Sequence, residues 1–230
     1  MHVVDRPSKY SKEYLRKLFQ YSLGEDIANS VSHIVGSFFG IYALISLSWT
    51  AGRYGNSVDT IAFVVYGISI LFLFLMSALY HSMTNHTARV VFKRMDHIAI
   101  YIMITGSYTP YVFSLLKTQR AYILYAILIV LTIVGIIFKS FFAGKYKKSS
   151  TLIYVFMGWA SVYLMPQIWI VIPKLGSVFM VIGGITYTVG ALLYAVGKFK
   201  YSHMIWHIFV ILAGVCMFIS INFFILQYRG

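Results

Sequence analysis

The sequence predicts an all-α, polytopic membrane protein with seven transmembrane helices. Three observations carry that prediction. Of its 230 residues, 60% are hydrophobic and only 11% are charged, where a soluble domain carries about 25% charged residues. Seven apolar stretches, each near the roughly 20 residues that a bilayer-spanning helix needs, account for nearly the whole chain. These stretches are long and continuous, unlike the short alternating segments of a membrane barrel. A mean hydropathy of +0.78 agrees. The chain divides into a basic segment, 1–22, and a seven-helix domain, 23–230.

Segment 1–22 carries Arg6, Lys9, Lys12, Arg16 and Lys17, with Tyr10, Tyr14 and Leu18 at helical spacing. It reads either as a short helix lying on an anionic leaflet or as a basic polar tail. It lacks the apolar core of a signal peptide, so it is expected to stay on the mature chain. The expected spans are 27–49, 58–81, 95–116, 121–142, 151–172, 176–196 and 202–226. Gly52, Gly55 and Asn56 turn the chain between the first two. Pro110 and Pro166 are expected to kink the third and fifth, which membrane helices tolerate. Gly183, Gly184 and Gly190 are expected to let the sixth span approach a neighbour closely. Cys216 stands alone, so no intrachain disulfide and no cysteine metal cluster exists.

Charge gives the orientation. Of the 19 Lys and Arg residues, 14 fall on the side that holds the N-terminal segment and the loops after the second, fourth and sixth spans. The other five fall opposite. Positive residues collect on the cytoplasmic side, so the N-terminus is expected inside and the C-terminus outside. The same rule accounts for the formal charge of +13, which in a soluble protein would suggest nucleic acid. No nucleic-acid partner is expected; the partners are membrane lipids, one of them a candidate substrate.

The rare polar residues of the spans converge at one depth on this topology. The first span begins with Glu25, Asp26, Asn29 and His33. The second ends in Ser77 and His81. The third begins with Asp96 and His97. The seventh begins with His203 and His207, four apart and so on one face of a helix. All lie at the cytoplasmic ends of their spans, where ionisable groups are costly and mark function. His81, His203 and His207 supply three neutral nitrogens, and three protein ligands with an open fourth position are the arrangement of a catalytic zinc site. Nitrogen ligands favour Zn2+ over magnesium or calcium. Water in the open position is acidified and can attack a carbonyl. Asp96 is the expected base or hydrogen-bond partner of that water, and Ser77 its neighbour or an oxyanion donor. His97 follows Asp96 and faces elsewhere. Asp26 and Asn29 either cap the first helix or support the site, and His33 either supports the site or packs against it. His2 and His86 are expected in a tail and a loop.

Four motifs in order, EDIANSVSH (25–33), SALYH (77–81), MDHIAIYIMITGSYTPY (95–111) and HMIWH (203–207), identify a resemblance. From Gly24 onward the chain resembles the haemolysin III branch of the progestin and adiponectin receptor family, within a broader group of membrane hydrolases that includes the alkaline ceramidases. The resemblance implies seven helices and a zinc ion in the cytoplasmic leaflet held by His81, His203 and His207. It implies Asp96 on the zinc-bound water and a family serine at Ser77. The family's first motif has glutamate three positions before the asparagine, where this chain has Asp26. The chain has almost no soluble tail and looks like the compact bacterial form, placing it in a bacterial inner membrane.

Three functions fit these expectations. The favoured one is a zinc-dependent intramembrane hydrolase of a lipid amide or ester. The second is a receptor or membrane-state sensor in which zinc clamps the second span to the seventh. The third is a membrane-lytic protein, which the branch name suggests. Direct pore formation ranks last: seven apolar spans give no soluble state, and no polar stripe runs from one face to the other.

Overall fold

The structure, a computed structural model, describes residues 18–143, 145–197 and 199–227. The proposed interfacial helix rests on residues 1–17, and these, with His2, Lys198 and Arg229, lie outside the described residues. The described chain is helical from Leu23 to Phe224 with short breaks. Helix α1 is Leu23–Tyr54, α2 is Ser57–Ser82 and α3 is His86–Thr109. A π-helical segment, Pro110–Leu116, extends α3. Then come α4 (Gln119–Phe142), α5 (Lys147–Trp159), α6 (Met165–Val171), α7 (Lys174–Val196) and α8 (Ser202–Phe224). Six of these spans are long and apolar enough to cross a membrane, and the bent pair α5–α6 makes the seventh. Exposed Phe38, Ile45, Ile61, Ile133 and Phe156 coat the outside. A bundle of this kind, with apolar side chains outward and no strands among the described residues, is an integral membrane protein.

Helix ends follow from local chemistry. At the start of α1, Ser22 Oγ accepts from the Glu25 backbone N–H at 3.4 Å, and the Glu25 carboxylate accepts from the Ser22 N–H at 3.0 Å. This reciprocal pair satisfies two otherwise orphaned donors, so Asp26 and Asn29 are not the caps. Asn56 caps α2, accepting from Val58 and Asp59 at 2.9 and 3.1 Å. Asn85 caps α3, accepting from Ala88 at 3.1 Å. Helix α3 thus begins nine residues before the expected third span. Arg89, Lys93 and Arg94 are therefore helical, and Arg89 and Lys93 are buried. His86 opens this helix, with its ring edge-on to Phe19 at 5.2 Å.

Both prolines act, in different ways. Pro110 has no N–H to give the Gly106 carbonyl. Thr109 Oγ1 donates to that carbonyl instead, at 2.5 Å, and also to the Ala62 carbonyl of α2 at 2.9 Å. The helix continues as a π turn and stops at Lys117, whose φ of 50° is left-handed. The fifth span breaks outright. A 3-10 turn, Ala160–Tyr163, ends α5, and the segment Lys148–Tyr163 that includes it meets α6 at a bend of 54°. Pro166 sits in the first turn of α6, where its missing N–H costs nothing, so the break falls upstream of it. Tyr108 Oη donates to the Met157 and Gly158 carbonyls at 2.8 and 2.7 Å, satisfying backbone freed there.

Packing is uneven. Helix α1 lies along α2, α2 along α3, and α7 along α8, while α8 closes back on α1. At the α1–α2 contact Gly40 faces Leu71 and Gly67 faces Leu44. A Cβ at these glycines would sit 2.8 and 2.9 Å from the opposing Cα atoms. Gly190 permits a similar approach to Phe209 and Trp206 of α8, and Gly183 touches Met217. Gly184 is different from the expectation, since a Cβ there would meet nothing within 4 Å. It borders a cavity instead.

Candidate metal centre

At the end of the bundle where α1, α3 and α8 begin and α2 finishes, three histidines meet. One ring nitrogen from each of His81, His203 and His207 lies within 4.8 Å of the others. His81 closes α2, and His203 and His207 occupy the first two turns of α8. The Nε2 atoms of His203 and His207 are 3.2 Å apart. Tetrahedral zinc with Zn–N bonds of ~2.0–2.1 Å holds its nitrogens about 3.3 Å apart. His81 Nε2 is buried with no hydrogen-bond partner, and a buried polar atom of that kind calls for one. These three side chains fit a zinc ion.

An outer layer aims the rings. His81 Nδ1 donates to Asp26 Oδ1 at 2.9 Å, and Asp26 Oδ2 accepts from Arg89 at 2.6 Å. Asn29 Nδ2 lies 3.5 Å from the same Nδ1. His207 Nδ1 donates to the Asn29 carbonyl at 3.2 Å and to Ser32 Oγ at 3.0 Å. These partners put the protons on Nδ1 and leave Nε2 of His81 and His207 facing inward. A second layer of this type fixes tautomer and ring orientation and raises ligand basicity. Asp26, Asn29 and Ser32 recur every three residues on one face of α1. One helix thus steers ligands carried by two others.

His33 packs rather than bonds. Its ring stacks on His207 at 3.6 Å between centroids, and neither of its nitrogens has a hydrogen-bond partner. Tyr21 covers the other side, stacked on His203 at 5.1 Å. Burial pushes the Tyr21 phenol well above its ordinary value, so it remains a neutral lid. Glu25, beyond capping α1, accepts from the Tyr201 N–H at 3.2 Å and ties α1 to the start of α8.

Asp96 and Ser77 sit beside the histidines, outside their cluster. Both line a cavity of about 470 Å³ that His203 and His207 also border. The Ser77 side chain is fully buried, and its hydroxyl faces the Asp96 carboxylate without closing to hydrogen-bonding distance. Contrary to the expectation that it faces elsewhere, His97 borders the same cavity; it donates to the Lys93 carbonyl at 2.7 Å, with Asp96 Oδ2 at 3.4 Å from the same nitrogen. The cavity runs down the bundle between α3, α5, α7 and α8. It reaches Met165 and Ile168 of α6 at depth, and Gly158 and Gly184 at its flank.

Sequence reasoning placed the histidines, Asp96 and Ser77 at one depth. It missed Ser32, Tyr21 and Arg89. Ser32 was detectable as the next member of the Asp26–Asn29 stripe. Arg89 was hidden by the late start assigned to the third span, and Tyr21 carried no signal.

Known proteins support one assignment. Residues 21–218 match the family described as Haemolysin-III related. Hemolysin-3 of Bacillus cereus is 36% identical over 214 residues, 93% of this chain and 97% of that protein. A Hemolysin-3 homolog of Bacillus subtilis (strain 168) is 34% identical over 204 residues, 89% and 96% of the two. The chain is a haemolysin III family membrane protein.

Proposed function

We propose that this protein is a zinc-dependent intramembrane hydrolase of a lipid amide or ester, resident in a bacterial inner membrane with its site in the cytoplasmic leaflet. One observation carries the reading: His203 and His207 border a deep cavity that also holds a carboxylate and a buried hydroxyl, and a His81 ring nitrogen lies within 4.8 Å of theirs. His81, His203 and His207 would hold the zinc. A zinc ion there supplies Lewis acidity and an ionised nucleophile near neutral pH.

The chain's own groups do the rest. Asp96 takes the proton lost by the attacking water and returns it to the leaving nitrogen or oxygen. The Ser77 hydroxyl donates to the oxygen on which negative charge develops. The Asp26–His81 and Asn29–His207 bonds keep the rings from turning as charge moves. The long apolar cavity accepts acyl chains, and Tyr21 limits water at the near end. A purely structural zinc would fill its fourth position with a protein ligand, whereas His203 and His207 border open space. Membrane lysis by relatives named for it would follow from lipid hydrolysis.

Elemental analysis of the detergent-purified chain tests the reading. About one zinc per chain is expected, lost in a His81/His203/His207 triple alanine variant. Lipid amides and esters are then screened with Asp96→Ala as the inactive control. A well-folded wild type that takes up no zinc sinks the proposal.

A further inference from the structure

The mouth of the cavity holds a buried positive charge that the hydrolytic reading leaves unused. Lys139, in the last turn of α4, is 1% exposed. It lines the same cavity as Asp96, His203 and His207, together with Lys93 and Lys145. Its ammonium donates to Ser150 Oγ at 2.5 Å and to the Lys145 carbonyl at 3.4 Å. Both partners are neutral. Among the described residues no carboxylate comes within 4 Å of it. A lysine that merely tops a helix C-terminus stays solvated; a cation removed from water without a counter-charge is costly. Lys93, 8% exposed and within the field of Arg89 and Asp96, lines the same cavity.

We propose that Lys139, with Lys93 and Lys145, forms a subsite for the anionic headgroup of a membrane amphiphile, either a phosphate or a carboxylate, whose chain occupies the cavity. Basic pockets between transmembrane helices bind anionic headgroups in this way. Both oxyanions accept from an ammonium, and Ser150 offers a hydroxyl beside it. The inference rests on reading the cavity as a lipid chamber and assigns the class of lipid that enters it.

The test is binding, not turnover. Full-length protein in a neutral maltoside detergent is titrated with dioleoylphosphatidylglycerol, oleate and the uncharged dioleoylglycerol, and retained ligand is counted by native mass spectrometry. Wild type should retain one or both anions about tenfold more tightly than dioleoylglycerol, the worth of a charged hydrogen bond. Tighter phosphatidylglycerol assigns the phosphate, and tighter oleate the carboxylate. Lys139→Met should abolish that preference, Lys139→Arg should keep most of it, and Lys174→Met, at the opposite end of the bundle, should leave it intact. Equal retention of charged and uncharged lipids by wild type overturns the proposal, and this arm depends on no variant folding. Unchanged anion retention in a folded Lys139→Met also overturns it. Hydrolysis of an anionic lipid at equal rates in wild type and Lys139→Met would keep the hydrolase and remove this subsite. Anion retention without zinc-dependent turnover would do the reverse.

Discussion

The bundle has two unequal halves. Along α3 and its π extension, 67% of the most apolar window is buried, whereas along α4 the figure is 22%. Helices α1, α2, α3 and α8 interlock around Phe63, Tyr66, Ile70 and Phe74, all fully buried. Helices α4, α5 and α6 touch the rest lightly, and the fifth span is broken. The metal-site residues come from the first half, and much of the cavity wall comes from the second. Catalytic groups must be held within fractions of an ångström, which suits rigid elements. A chamber that admits and releases a lipid needs walls of lower local stability. On the proposed function, the difference between the halves becomes a division between holding and admitting.

The sharpest way to break that division is at its boundary, where Asp96 of the rigid half faces the cavity. Replacing Asp96 with Asn should lower the hydrolysis rate by about 10²–10⁴-fold, the worth of a positioned acid–base group. Zinc content should stay near wild type, because Asp96 lies outside the histidine cluster. Zinc loss equal to that of His203→Ala would make Asp96 a ligand and redraw the site.

The next effect lies in the outer layer. Asp26→Asn keeps the shape but weakens the charged bond to His81 and the 2.6 Å pair with Arg89. Zinc affinity should fall about 10–100-fold, measured by competition with a chelator of known affinity. Asn29 and Ser32 still hold His207, so the loss should be partial. An unchanged affinity would mean that the rigid half does not need α1 to aim its ligands.

How far this site was legible follows from the same layers. The i, i+4 spacing of His203 and His207 and an aspartate, Asp96, at the same depth in the third span are patterns of residue type, and type is written in the sequence. Asp26 and Asn29 were ambiguous because their role turns on where α1 begins. The Ser22–Glu25 bonds decide that, and several polar residues near the start of the span offered equivalent caps. The burial of Lys93 and Lys139 was invisible to a tally of charge per side, which counts sides and not depth. The break at Ala160–Tyr163 contains neither Gly nor Pro, so it gave no local mark. Pro166 signalled a disturbance but lies downstream of it.

Two glycines supply the finest comparison. Gly40→Ala, in the rigid half, gains helix propensity of up to about 1 kcal/mol. It also sets a Cβ 2.8 Å from Leu71 Cα. Backbone cannot swing aside as a side-chain tip can, so α1 and α2 must separate. Overpacking of this kind costs about 1–3 kcal/mol, and thermal unfolding in detergent should show a net loss. That separation moves Asn29 and Ser32 away from His207 of α8 or His81 of α2, so zinc affinity should fall with stability. Gly184→Ala, on the cavity side of α7, meets nothing within 4 Å. The same propensity gain is then unopposed, and stability should be unchanged or raised by up to about 1 kcal/mol, with zinc affinity untouched. Destabilisation of both variants alike would mean that α7 is packed as tightly as α1. The open space beside Gly184 would then be no part of a lipid chamber.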